Sequence, residues 1–217
     1  MTAAPPETGP RETGRIEAFS DGVFAVAITL LVLDIHVPTG PLAGHSTHLA
    51  ADLLAQWPTY AAFLTSFLTV LIVWINHHRI FGLIQRSDDR FMLLNGALLL
   101  AVTLFPFATS LAASYYGQPD ATIAALVYSG TSLFLASCFN MLWKYASTNE
   151  RLLRVDYDRQ VAIGITHSYR FGPHVYFVAF LLGFVSVPIC LGMCALLALF
   201  FTIPPRKHAV CATTGIR

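Results

Sequence analysis

Residues 15–35 read Arg15-Ile16-Glu17-Ala18-Phe19-Ser20-Asp21-Gly22-Val23-Phe24-Ala25-Val26-Ala27-Ile28-Thr29-Leu30-Leu31-Val32-Leu33-Asp34-Ile35. Twelve uncharged residues separate Asp21 from Asp34, a helix about 18 Å long at 1.5 Å per residue. From Ile16 to Ile35 the stretch has the roughly 20 residues that cross a bilayer, yet it carries Glu17, Asp21 and Asp34. Carboxylates at membrane depth are costly and need partners. This is the first span, and the one whose ends carry chemistry.

Working outward, the chain is more apolar still. Of its 217 residues 55% are hydrophobic and 12% charged, with a mean hydropathy of +0.62, too apolar for one soluble core. Leu53–Ile75, Phe91–Tyr116 and Ala121–Trp143 are uncharged throughout and long enough to cross. Phe171–Pro205 runs 35 residues without Lys, Arg, Asp or Glu; as one helix it would reach about 50 Å, far beyond a hydrocarbon core of about 30 Å. Pro188 near its middle breaks it into two short helices, His174–Ser186 and Pro188–Ile203, bracketed by Pro173 and Pro204. Pro106 predicts a kink in the third span. The fold class is therefore an all-α integral membrane protein with six transmembrane helices. Residues 1–10 read as a disordered tail, 11–205 as the membrane domain and 206–217 as a C-terminal tail.

Charge orients the spans. With six crossings and both termini cytoplasmic, Arg11, Arg15, Arg79, Arg86, Arg90, Lys144, Arg151, Arg154, Arg159, Arg170, Arg206, Lys207 and Arg217, all 13 cations of the chain, fall on one side. The loops at His36–Asp52, Gly117–Asp120 and Ser186 have none, as the positive-inside rule requires. A five-crossing arrangement strands the three C-terminal cations outside. Residues 145–170 are the one long internal connection, and Leu152, Leu153, Val155, Val161, Ile163 and Ile165 among its charges suit a partly helical interfacial segment or a solvated loop.

Several functions are excluded. A net charge of +1 with no basic run interleaved with aromatics leaves no footprint for nucleic acid. No nucleotide loop, nucleophile elbow or zinc-protease helix occurs, so no enzyme activity and no cofactor is expected. Cys138, Cys190, Cys194 and Cys211 lack the spacing of a secreted framework and read as packed thiols. His36, His45, His48 and Asp52 share the outer loop without ligand spacing, so no metal site is assigned. Gly130, Thr131, Ser132, Ser137 and Asn140 suit close helix contacts in span four.

Candidate chemistry gathers at the cytoplasmic ends. Arg15, Ser20 and Asp21 open span one, Trp74, Asn76, His77 and His78 close span two, and Asn95 lies one to two turns into span three. Two readings stand open: a hydrogen-bonded clasp of Arg15, Ser20, Asp21, His77 and Asn95 that sets helix register, or a gating site in which His77 or His78 titrates beside a carboxylate. In span one, Val26, Thr29 or Leu30, and Leu33 repeat at heptad-like spacing and can face one axis. Rings of Val26 and Leu33 would form a hydrophobic constriction, Thr29 hydroxyls could ligate a partly dehydrated cation, and Asp34 would concentrate cations at the outer mouth. The same stripe also suits plain helix packing.

The Arg-x-x-x-Phe-Ser-Asp sequence of residues 15–21, the apolar continuation with Thr29, and Trp74 followed by His77 and His78 resemble the transmembrane protein 175 family of potassium channels. The likeness runs from residue 11 to about 205 in a single set of six spans, as in short prokaryotic members. It implies a homotetramer whose first helices line a central cation pathway, with the motif residues Arg15, Phe19, Ser20 and Asp21 at its foot. It carries over the apolar pore positions to Val26, Thr29 and Leu33; Val26 is smaller than the Leu or Ile common there, which widens that ring. The Thr-Val-Gly-Tyr-Gly filter of ordinary potassium channels is absent. The expected function is a potassium-permeable cation channel in the cell membrane, with lipid, monovalent cations and its own copies as partners. The alternative is a small ion- or proton-coupled carrier using Asp21 with His77 and His78.

Overall fold

The computed structural model describes residues 11–38 and 48–202. Among them the chain is helical, without strands apart from one antiparallel bridge between Ile84 and Leu153. The helices are α1 (Arg11–Leu30), continued by a 3-10 turn over Leu31–Asp34, α2 (Leu49–Ala55), α3 (Trp57–Leu83), α4 (Asp89–Thr103), α5 (Phe105–Ser114), α6 (Ala121–Ser147), α7 (Arg159–Arg170), α8 (Gly172–Gly183) and α9 (Val187–Thr202). The two tails of the sequence reading, residues 1–10 and 206–217, and with them Cys211, lie outside the described residues, as does His45 of the outer loop.

Among the described residues, four units are long and apolar enough to cross a membrane: Thr13–Asp34, Trp57–Leu83, Asp89–Ser114 and Ala121–Glu150. The third is α4 and α5 together. Pro106 has no N–H to return to Val102, and the helix turns at Leu104 before resuming at Phe105. The long uncharged stretch from Phe171 does break within its described residues: α8 ends at Gly183, Phe184–Ser186 turn, and α9 starts at Val187 with Pro188 in its first turn. At 12 and 16 residues, α8 and α9 reach only about 18 and 24 Å, short of a full hydrocarbon core.

α6 is the post of the bundle, packed against α4, α5, α8 and α9. The core around it is built from Phe91, Leu98, Phe105, Leu135 and Leu142, all nearly or fully buried. Gly183 allows close approach of α8, since a Cβ there would stand 2.8 Å from a methyl of Leu126. Mid-bundle, the Thr109 hydroxyl donates to Ser66 Oγ at 2.7 Å, and Ser66 and Tyr128 share a 3.1 Å hydrogen bond, so one buried polar thread ties α3, α5 and α6. Cys138, Cys190 and Cys194 are buried free thiols. In α6 the hydroxyls of Thr131, Ser132 and Ser137 return to their own i−4 carbonyls, whereas Asn140 reaches across to the Tyr169 carbonyl at 2.8 Å.

The connection 148–170 is folded, not free. Gln85 N–H donates to Leu152 O and Arg154 N–H to Leu83 O, so it clasps the α3–α4 turn. Asp158 caps α7 by accepting from the N–H groups of Gln160 and Val161. α7 buries Ala162 and Ile165 against the bundle and exposes Arg159, His167 and Arg170, the pattern of a helix lying at an interface. At the α3–α4 turn, Asp88 caps α4 through Phe91 N–H at 2.8 Å and accepts from the Tyr145 hydroxyl at 2.7 Å. Those two donors hold its carboxyl below the usual range, the Tyr145 bond contributing most.

The first helix and its two faces

α1 has two unlike faces. Ser20, Phe24, Ala27 and Leu31 are buried, spaced four, three and four residues apart, and this stripe packs on α3, α4 and α5. The other face is left exposed among the described residues. Phe19 is 68% exposed, Val26 58%, Leu30 43% and Leu33 66%, with Ala18, Gly22, Ala25 and Thr29 exposed among them.

The buried face is held by side-chain pairs with α3 and α4. The Trp74 indole N–H donates to Asp21 Oδ1 at 2.8 Å, and one turn away His78 Nδ1 pairs with Glu17 Oε1 at 2.8 Å. A step from 17 to 21 up α1 matches the step from 78 back to 74 down α3, as antiparallel helices in fixed register require. Deeper in, a relay crosses to α4. Ser20 Oγ donates to Ile16 O at 2.8 Å and accepts from Asn95 Nδ2 at 2.9 Å; the Asn95 carbonyl oxygen therefore faces His77 Nε2, also at 2.9 Å. That chain of donors requires the Nε2–H tautomer of His77. Its Nδ1 is buried without a hydrogen-bond partner, and the ring lies between Phe81 at 4.3 Å and Phe24 at 5.3 Å.

The clasp thus differs from the sequence expectation in three respects. Arg15 stands exposed, and Asp21 is joined to Trp74 instead. Glu17, absent from the expected set, is the partner of His78; its i, i+4 spacing from Asp21 was the available signal. Asn76 points away from α1, where it accepts from the Arg79 guanidinium at 3.3 Å, because it sits about 200° around the helix from both Trp74 and His78. Asp21, His77 and His78 are hydrogen-bonded to three different partners, Trp74, Asn95 and Glu17.

On the exposed face, the Thr29 hydroxyl donates to Val26 O at 2.9 Å. With its proton committed to the backbone, the oxygen lone pairs are left for a ligand on the open side. Above it the 3-10 turn at Leu31–Asp34, with three residues per turn, stacks Leu33 over Leu30. Asp34 closes the stripe; its Oδ2 is buried without a hydrogen-bond partner in the protomer.

A potassium channel of Chamaesiphon minutus is 51% identical over 203 residues, 94% of this chain and 98% of that one. This chain belongs to the TMEM175 family. A profile described as "Endosomal/lysosomal potassium channel TMEM175" matches residues 15–106, which hold every paired residue of the α1 clasp. A potassium channel of Streptomyces collinus is 40% identical over 204 residues, 91% of this TMEM175-family chain and 98% of the relative. Among solved structures, the crystal structure of a lysosomal potassium-selective channel TMEM175 homolog from Chamaesiphon minutus matches with a TM-score of 0.79 at 51% identity, over 88% of this chain and 96% of that one. The family is one of ion channels, not enzymes.

Proposed function

We propose that this chain is a potassium-permeable cation channel of the cell membrane, in which four copies gather α1 around a central pore. Residues 11–205 form the channel domain, with six crossings and both termini cytoplasmic. Val26, Leu30 and Leu33 line a hydrophobic constriction, Thr29 supplies a collar of hydroxyl oxygens between them, and Asp34 draws cations to the outer mouth. The Asp21–Trp74, Glu17–His78 and Ser20–Asn95–His77 contacts hold each α1 at the angle that presents this stripe, a structural role. Potassium is the permeant ion and no cofactor is needed.

The observation that carries this reading is the composition of the unpartnered face of α1. A face meant for lipid would be uniformly large and apolar; this one places Gly22 and Ala25 beside Val26, a hydroxyl at Thr29, and a carboxylate at Asp34 at its far end. The small residues permit close approach of a neighbouring helix, and the oxygens suit a dehydrating cation. The relatives described above are named potassium channels, which supports the choice of ion.

Passive potassium efflux from proteoliposomes tests it. Leu33→Ala and Val26→Ala each widen a ring, so efflux should rise or sodium should begin to permeate, whereas Ile123→Ala, at a residue 61% exposed on α6, should change neither. Currents unaltered by both α1 variants would remove these residues from the pore.

A further inference from the structure

Away from α1, the bundle holds a second apolar feature that the channel reading does not use. α3, α6, α8 and α9 border a partly open cavity with walls that include Ile72, Val73, Leu135, Phe139, Tyr176 and Phe201. Along α3 the lining runs from Thr69 to Asn76, about 10 Å of helix. One end is polar. There Asn76 holds the Arg79 guanidinium at 3.3 Å, and Arg79 is the charge that acts on the half-buried Tyr169 hydroxyl, another lining group. The described ion pairs are His78–Glu17 and Arg154–Asp156, so Arg79 is exposed at this mouth with its charge uncompensated among the described residues. Arg170, next to Tyr169, is also exposed.

We infer that this cavity is a binding site for an anionic phospholipid, its acyl chain in the slot between α3, α6, α8 and α9 and its phosphate on Arg79. A mostly apolar, partly open slot excludes bulky polar solutes and gains from burying methylenes. A guanidinium already oriented by Asn76 at its end matches a phosphate bidentately and loses little freedom in doing so. The open side needs no partner chain to be filled, since the bilayer supplies the chain. The leaflet is the one in which the C-terminal end of α3 stands, the cytoplasmic leaflet in the topology proposed above; occupancy of the site does not depend on that topology or on ion conduction.

The test is native mass spectrometry of the full-length assembly in mixed micelles containing phosphatidylglycerol or phosphatidylcholine of identical chains. The wild type should retain about one lipid per subunit and prefer phosphatidylglycerol. Arg79→Gln should lower that preference about fivefold, the equivalent of one cation near a membrane surface, while still admitting chains. Ala136→Phe, which fills the slot from α6, should abolish retention of both lipids; if that variant does not assemble, Ala136→Leu serves in its place. Unchanged preference in Arg79→Gln, undiminished retention in the slot-filling variant, or no retained lipid in the wild type would each overturn the inference. A wild type without lipid whose thermal stability nevertheless falls in Ala136→Phe would identify the chain's own residues as the filler, and would overturn it equally. None of these readouts involves ion flux, so failure here is distinct from failure of the channel assignment.

Discussion

Asn95→Ala should destabilise the assembled protein by about 1.5–3 kcal/mol. Asn95 is 3% exposed and His77 is fully buried. The amide joins two helices through two hydrogen bonds of 2.9 Å, one to His77 Nε2 and one to Ser20 Oγ. Truncation does not affect the two partners equally. Ser20 keeps its own bond to Ile16 O and loses only an incoming donor. His77 loses everything, because its Nδ1 already lacks a partner, so a fully buried imidazole would be left with neither nitrogen bonded. A stranded buried donor costs about 1–3 kcal/mol; interhelical hydrogen bonds within bilayers average nearer ~0.6 kcal/mol, which bounds the Ser20 side of the relay. Ser20→Ala should therefore cost about 1 kcal/mol, less than Asn95→Ala, and the double variant should show a coupling of about 0.5–1 kcal/mol. A reversible SDS-unfolding series in mixed micelles measures all three. Leu93→Ala on the same helix, at a residue 74% exposed, is the reference. If Asn95→Ala falls within about 0.5 kcal/mol of that reference, the relay does not hold α1 to α4 and its assigned role is wrong.

Two further predictions follow from the other contacts at this end of the bundle. Trp74→Phe keeps the ring but removes the N–H that Asp21 accepts at 2.8 Å; the recovered assembled fraction should fall by the equivalent of about 1–3 kcal/mol, and Asp21→Asn in the Trp74→Phe background should recover part of it by removing the stranded charge. Tyr145→Phe should lower stability measurably near neutral pH by removing one hydrogen bond to a carboxylate. The Asp88 carboxyl is depressed, chiefly by the Tyr145 hydroxyl, so this contribution is full above the unfolded-state value of about 3.9 and is lost as pH falls through the lower folded value. The gap between variant and wild type should be flat from pH 8 to 5 and close below about pH 4; a gap that persists there would show that the bond does not act through the carboxylate.

Much of this fold could be read from composition and spacing, because a bilayer leaves a chain few options. Uncharged runs long enough to cross mark α3, α4–α5 and α6, and a charged-ended apolar run marks α1; the excess length of Phe171–Pro205 calls for a break near Pro188. Element ends were harder: α3 continues past Ile75 to Leu83, since a helix does not stop where its apolar residues do, and α2 and the 3-10 turn at Leu31–Asp34 carry no cap or breaker that announces them. Faces were legible within one helix, as the spacing of Val26, Thr29 and Leu33 shows. Pairing across helices was not, because it depends on interhelical register. The expected clasp of Arg15, Ser20, Asp21, His77 and Asn95 keeps its last four members in the folded protein, but Trp74 replaces Arg15 as the partner of Asp21, Glu17 is added, and the nearby candidate Asn76 pairs with Arg79 instead. A register of 17 with 78 and 21 with 74 is plain once one pair is known, and neither is fixed by sequence distance.

The central claim is that the exposed face of α1 borders water in the assembled protein. Cysteines placed singly at positions 26 to 33 and treated with a charged, membrane-impermeant thiol reagent during current recording test it most directly. Thr29→Cys should be modified and its current blocked, with Ala27→Cys and Leu31→Cys unreactive in the protomer core. Equal inertness at all positions, or modification at 29 that leaves the current unchanged, would place this face against lipid or a neighbouring subunit and contradict the account.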